Sequence, residues 1–551
     1  MNILRKLQKI SFLQKGFEWS LSPSLAGRAG VGLLLFLTLP CFAQFRLNLG
    51  NDAPIRKLQA AEMAITNLYV DSVDESRLVE DAIRGMLEKL DPHSTYTTAK
   101  ETQSMNEPLQ GSFEGIGVQF NLVEDTLLVI QPTLNGPSEK VGILAGDRIV
   151  LVNDSAIAGV KMSKEEIMKR LRGKKGTKVR LGVVRRGISE MLNFTVTRAK
   201  IPLHTLDAYY LIRPKTGYIR IGSFGATTYD EFMTAIDTLQ RRSNGLENLI
   251  LDLQDNGGGY LQAAAQIANE FLQNDDLIVY TEGRSVPRQE FRAQGTGRLR
   301  DNIRVVVLVN EYSASASEIV TGALQDQDRG QVVGRRTFGK GLVQRPIEFP
   351  DGSMIRLTTA HYFTPSGRCI QKPYVKGEKR DYYEDIEKRF QHGELYSKDS
   401  IRFADSLRYE TLRLHRTVYG GGGIMPDFFV PLDTTQYTRF HRQLAAKSVI
   451  INTSLKYIDK NRKSLRKQFA SFDDFKRGFE VPQSMIDEVV AEAEKQKVKP
   501  KDDEELQQTL PMLRMQLKAL IARDIWDMNE YFAIINEQNH IVQRGLDVIG
   551  N

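Results

Sequence analysis

The stretch Arg304-Val305-Val306-Val307-Leu308-Val309-Asn310-Glu311-Tyr312-Ser313-Ala314-Ser315-Ala316-Ser317-Glu318 reads as a buried strand that runs into a helix. Val305 to Val309 are apolar without polar alternation and mostly β-branched, as expected of a strand covered on both faces. A short turn follows, and a helix is expected from about Ser315 to Gln325. Moving outward, the same alternation recurs. Gly217 to Phe224 reads as a strand and Thr228 to Arg241 as a helix. Asn248 to Leu253 is a second buried strand, followed by a helix from Tyr260 to Leu272. Such alternation implies βαβ units with right-handed crossovers, an α/β core. Arg345 to Phe349 and Met354 to Phe363 form a returning hairpin around Pro350-Asp351-Gly352.

The rest of the chain divides by pattern. Residues 44–107 form an N-terminal helical region, with Leu58, Ala61, Ile65 and Leu68, then Leu78, Ala82, Met86 and Leu90, at helical spacing. Leu90-Asp91-Pro92-His93-Ser94 ends the second helix. Residues 108–199 change to short β-type runs with one helix from Ser163 to Arg172, a small β-rich module. The core occupies 200–435, with the polar segment 370–415 read as a surface insertion. Residues 436–551 are helical in pattern, broken by a charged hinge through Lys495 to Glu505.

The 551 residues have room for about three or four domains. A net charge of +7 is small for this length, and no basic motif is interleaved with aromatics, so nucleic acid is not an expected partner. The first 43 residues have the layout of a secretory signal. Arg5, Lys6, Lys9, Lys15 and Arg28 precede the apolar run Val31 to Leu39, and Cys41-Phe42-Ala43 offers a cut after Ala43. The run is too short to span a bilayer, so membrane association is expected only if this segment is retained. Cleavage leaves Cys369 alone, so no disulfide within the mature chain is expected. The expected location is outside the cytoplasm, in the periplasm or cell envelope.

Ser315 stands where a helix start presents unpaired N–H groups and positive dipole character. A nucleophile there would find oxyanion donors in the backbone. Ser315-Ala316-Ser317-Glu318 is equally a capping-box pattern, and the residues alone leave both readings open. Lys340 lies between Gly339 and Gly341. Burial could lower its pKa to where it accepts a serine proton, and a surface turn lysine is the plain alternative. Gly334 to Gly341 nearly fits a nucleotide P-loop, but Gly341 replaces the required Ser or Thr and no good helix follows. Asp252-Leu253-Gln254-Asp255-Asn256-Gly257-Gly258-Gly259 ends a strand with glycines that allow close backbone approach. The seven histidines show no metal-ligand spacing, so neither metal nor cofactor is expected. A Ser-His-Asp triad through His361 or another histidine is not excluded by counting.

Together these segments resemble the carboxyl-terminal processing (tail-specific) serine protease family. Residues 108–199 resemble a PDZ domain, in which Gly115-Ile116-Gly117-Val118 matches the carboxylate-binding loop and Val141 to Asp147 the later signature turn. Ser313 to Asp326 matches the nucleophile segment, in which Ser315 is catalytic. Thr337 to Gln344 matches the segment that supplies the general-base Lys340, with Gln344 orienting it. Asp326 falls on a structural position. The glycine loop matches the oxyanion segment, although its usual Arg and Pro are Gln254 and Gly257; the implied oxyanion donors are the N–H groups of Ala316 and Gly258. Gly423-Ile424-Met425-Pro426-Asp427 also fits.

The resemblance implies a crotonase-like (ββα-type) α/β protease core with an inserted PDZ domain and flanking helical regions. It implies an exported, ATP-independent endopeptidase with a Ser-Lys mechanism, whose partners are proteins or peptides with free, apolar C-termini. The last substrate side chain is expected in a pocket lined partly by Ile116 and Val118. The sequence leaves room for an activator protein and for a homodimer through the C-terminal helices. The alternative is a non-catalytic PDZ scaffold on a protease-like core.

Overall fold

The computed structural model describes residues 53–550 except 296, 301, 434 and 436. The expected signal segment, 1–43, lies outside them. The chain divides into two units, 1–73 and 74–551. In the first, the helix Ala53–Leu68 has no buried residue.

In the second unit the run of valines that opened the sequence reading is a central strand, Arg304–Val309. It lies parallel to Asn248–Asp252 on one side and to Gln331–Gly334 on the other. The full sheet runs Leu206–Arg213, Thr216–Ile221, Asn248–Asp252, Arg304–Val309, Gln331–Gly334, Phe428–Phe429. Both faces are covered, which explains the unbroken apolar run. Val305, Val307 and Val309 pack against helices Thr228–Ser243, Leu261–Asn269 and Ala316–Asp326. Val306 and Leu308 face the other way, against Ile541, Val542, Leu546 and Ile549 of the last helix, His540–Gly550. The C-terminal end of the chain therefore completes the core. A second sheet joins Thr95–Thr97, Met354–Phe363, Leu277–Gly283 and Val286–Arg292, with Leu342–Glu348 paired to Met354–Phe363.

The β-rich module is a six-stranded antiparallel sheet with its own apolar core. Ser112–Gly115 pairs with Ala199–Pro202, so the chain enters and leaves the module side by side, as an insertion requires. Val118–Val123 is an edge strand of its sheet. Residues 439–535 form a helical body around Phe440, Leu444, Phe475 and Leu513.

The segment 370–415 departs from the sequence reading as a surface insertion. Arg389 is buried and donates to Thr337 O at 3.0 Å and Arg336 O at 2.6 Å. Lys372 is buried over the Phe338 ring, 3.9 Å from its centroid, and donates to Tyr382 O and Asp385 Oδ2. Its many charged residues suggested solvent, but several neutralise one another beneath the Thr337–Lys340 loop.

Candidate active site

Three serines crowd the turn after the central strand, and their hydrogen bonds tell them apart. Ser313 Oγ donates to Leu253 O at 2.8 Å and accepts from Asn310 N. Ser317 Oγ donates to Asn256 O at 2.9 Å. Both side chains are buried braces between the turn and the glycine loop. Ser315 is partly exposed, at φ +57° and ψ −114°. A non-glycine residue there stores roughly 1–3 kcal/mol of strain, which the surrounding bonds must impose.

The lysine loop is built onto the same turn by one side chain. Glu318 is fully buried and accepts from Ser315 N (2.8 Å), Thr337 Oγ1 (2.6 Å), Gly339 N (2.8 Å) and Lys340 N (2.9 Å). Burial pushes its carboxyl up to about 7 against the pull of these donors. Tyr362, also buried, donates its hydroxyl to Lys340 O at 2.5 Å and Ser315 O at 3.1 Å. The capping-box pattern is thus present through Glu318, and it serves to tie two loops together. Gly339 has φ +88°, and a Cβ there would meet Gly423 N at 3.0 Å, so only glycine fits the turn that carries Lys340.

Ser315 and Lys340 line one cavity of about 620 Å³, together with Gly257, Gly258, Ala316 and Gln344. No histidine lines it. Lys340 is largely buried, and burial holds its amine below the ordinary value of 10.5; Arg356 adds to this, while Glu318 and Asp91 oppose it. Gln344 reaches Leu342 O (3.2 Å) and Thr358 Oγ1 (3.3 Å). Thr358 Oγ1 donates to Asp91 Oδ1 at 2.8 Å. Burial raises Asp91, but hydrogen bonds from Ser94, His93 N and Thr358 outweigh it and hold the carboxyl below its usual range. His93, beside it, is pushed down to about 3, first by burial and then by the charge of Lys340. The residues that read as a helix stop, Asp91 to Ser94, therefore reach the neighbourhood of the lysine.

The glycine loop packs against the Ser315 turn. A Cβ on Gly258, at φ +103°, would lie 2.7 Å from Ser315 Cβ and 2.9 Å from Ala316 N. The Gly258 N–H, expected as an oxyanion donor, instead donates to Asn256 Oδ1 at 2.8 Å, so in this arrangement it is not free. Beneath the loop, Arg220 from the neighbouring strand binds Asp252 (3.0 Å), Asp255 (3.1 Å) and Asp207 (3.2 Å). It supplies a cation to the loop in which Gln254 stands. Asp326 is fully buried against Arg368 at 2.6 Å, a structural ion pair. Among the described residues no group of His, Cys, Asp or Glu is placed to hold a metal ion.

With this geometry in place, the comparisons are specific. Residues 215–381 match peptidase family S41, and 115–197 match the PDZ domain. The carboxy-terminal processing protease CtpA of Bacillus subtilis (strain 168) is 35% identical over 353 residues, 62% of this chain and 74% of that protein. The chain belongs to the carboxy-terminal processing proteases. It is a serine-type peptidase with a PDZ domain. The carboxy-terminal-processing protease of Bartonella bacilliformis is 37% identical over 306 residues, 55% of this chain and 69% of that protein. Among solved structures, the photosystem II D1 C-terminal processing protease matches at 28% identity, covering 58% of this chain and 91% of that one, with a TM-score of 0.33. Residues 45–102 match the activating protease CtpB N-terminal domain, and 440–527 match a family of unknown function, DUF8443.

In this carboxy-terminal processing protease the PDZ loop is packed closely onto the module. The Ile116 side chain is only 2% exposed and packs in the module core, so it could offer a pocket little more than its edge. Its carbonyl accepts from Ser138 N and Oγ. Val118 is partly exposed at the head of the edge strand, and Phe120 on that strand lies under Lys164 Nζ of the helix Lys164–Leu171, 5.8 Å from the ring centroid. Gly117 has φ +69°, and a Cβ would come 2.9 Å from Ile201 Cδ1.

The sequence reading passed over Glu318 as more than a cap, and over Tyr362, Asp91, Thr358 and Arg220. The capping pattern was the one signal for Glu318. The others gather around the site only through sheet pairing.

Proposed function

We propose that the protease cleaves by a Ser315–Lys340 mechanism on proteins held by their C-terminal tails. The supporting observation is that a partly exposed serine and a buried lysine, from separate loops locked together by Glu318, share one cavity. Lys340, neutral, takes the proton of Ser315 Oγ as the oxygen attacks the scissile carbonyl carbon. Ala316 N–H, at the helix start, donates to the oxyanion that forms. The lysine then gives its proton to the leaving amine. Water then attacks the acyl ester on Ser315; Lys340 takes its proton and passes it to Ser315 Oγ as the ester bond breaks, which releases the new carboxylic acid and restores both residues. Gln344 would turn from Thr358 to hold the amine. The substrate tail would add along the edge strand Val118–Val123, with its carboxylate on the Gly115–Val118 loop.

The protein would act after export. Among the described residues no helix is long and apolar enough to cross a membrane.

The deciding experiment pairs a serine-directed active-site probe with digestion of a protein bearing an apolar tail. Ser315→Ala should lose both labelling and cleavage. Lys340→Arg should be nearly as inactive as Lys340→Ala, because arginine keeps the charge but cannot release its proton. An active arginine variant would overturn the role of Lys340 as base.

A further inference from the structure

Two charged side chains in this cavity, Arg356 and Glu348, take no part in the steps above. Arg356 lies opposite Pro346 in the hairpin, with Met354 opposite Glu348. Side-chain alternation places Gln344, Pro346, Glu348, Met354 and Arg356 on one face, and all five line the cavity that holds Ser315 and Lys340. Arg356 is half-buried, and Nη2 donates to Asn106 Oδ1 at 3.0 Å. That amide is neutral. Among the described residues no carboxylate comes within ion-pair distance of Arg356, whereas Arg220, Arg335 and Arg368 are each paired with an acid. Glu348, its diagonal neighbour across the hairpin, forms no ion pair with it.

A guanidinium presents five donors in a planar fork that matches a carboxylate in two-point contact. Arg356 lines the cavity that holds the nucleophile, with Pro346 and Met354 as apolar neighbours and Asn106, Gln344 and Glu348 as polar ones. We propose that Arg356 is a specificity subsite that receives the carboxylate of an aspartate or glutamate side chain close to the scissile bond. The inference rests on the reading of Ser315 as nucleophile. It commits to a side-chain carboxylate, since the terminal one is assigned to the PDZ loop. The charge of Arg356 also opposes protonation of Lys340. Replacing it will therefore alter the rate on every substrate, and the informative quantity is a ratio between matched substrates.

The test uses the full chain and peptides that end in one apolar tail. Each peptide has Asp or Glu, or its amide twin, at one of the positions flanking the cut, and cleavage is followed by mass spectrometry. Wild type should prefer the acid over its amide twin by about tenfold or more in kcat/KM at one position, as a charge-assisted pair implies. Arg356→Gln should bring that ratio to about one, and Arg356→Lys should retain part of it. Arg356→Glu should reverse it, favouring lysine there. Equal cleavage of acid and amide twins by wild type, or a preference that survives in Arg356→Gln, would overturn the subsite. So would an arm in which only C-terminal amidation of the peptide matters and that effect vanishes in Arg356→Gln, because Arg356 would then hold the chain terminus. If wild type cuts no peptide, the proteolytic reading falls and the subsite with it; cutting without acid preference removes the subsite alone.

Discussion

Lys340 carries a pH signature that follows from its burial. Its folded-state pKa lies below 10.5, so between that value and 10.5 the unfolded chain binds more protons than the folded one. Its contribution to stability therefore rises with pH across that window and is level below it. Under the proposed Ser315–Lys340 mechanism activity has the same sense, because the amine would have to be neutral to accept the serine proton. We predict that kcat/KM climbs with pH along a limb set by Lys340, and that unfolding free energy from urea titrations gains a positive slope toward pH 10 that Lys340→Met removes. An unchanged slope in the variant would mean the amine is solvated. Glu318 has the opposite sense: its carboxyl is raised to about 7, so the folded state binds the extra proton and loses stability as pH rises from about 4.5 to about 7. Replacing it by Gln should flatten that fall. It should also loosen both loops, since an amide offers donors of its own where four donors already converge.

At the scale of elements, the last helix carries more of the core than its position suggests. Ile541, Val542, Leu546 and Ile549 are buried against Ile250, Val306 and Leu308. Full burial of such side chains stabilises by about 1.5–3 kcal/mol each, which together rivals the stability of a typical domain, about 5–15 kcal/mol. A chain ending before residue 540 should therefore fail to fold its protease core, even though it retains Ser315 and Lys340. Circular dichroism melts and probe labelling would check this; a truncated protein that melts like the full chain and still labels would sink the claim. How legible the elements were depended on locality. The strand Arg304–Val309 and the strands of the PDZ module could be read from runs and turn residues within a few positions. The hairpin Leu277–Gly283 with Val286–Arg292 was not read at all: its second strand, Val-Pro-Arg-Gln-Glu-Phe-Arg, is polar and mostly exposed and has little strand character outside the pairing.

At the scale of the whole molecule, the PDZ domain is clipped to the helical body by charges. Arg148 pairs with Asp459 at 2.8 Å on the helix Val449–Gln468, and Arg186 donates to Asp459 O at 3.0 Å. Lys456, on the same helix, pairs with Glu124 of the module at 2.9 Å. Asp459 is largely buried and Glu124 open to solvent; near-surface pairs contribute about 0–1 kcal/mol each and weaken with salt, so the module should be held releasably. Asp459→Ala should speed proteolytic release of the PDZ module several-fold at low salt, and 0.5 M NaCl should narrow the difference between variant and wild type. Release at the wild-type rate would show that these contacts hold nothing.

The division between sequence and structure follows the range of the interactions. Backbone propensity, side-chain periodicity and glycine geometry act within about a turn or a hairpin. The sequence by itself therefore determined the strand-to-helix turn at Ser315, the glycine-flanked Lys340 and the layout of the PDZ module. It also determined the family, because those motifs occur in order along the chain. Tertiary structure alone decided which of three serines is left partly exposed, since Leu253 and Asn256 occupy the other two across about 60 residues. It alone brought Asp91 to Thr358 and put Arg356 in the cavity that holds Ser315 and Lys340, with no acid ion-paired to it among the described residues. It also engaged the Gly258 N–H with Asn256 and folded residues 370–415 beneath the lysine loop. Each of these depends on what a polar group meets after the chain has closed, and no local pattern encodes that partner.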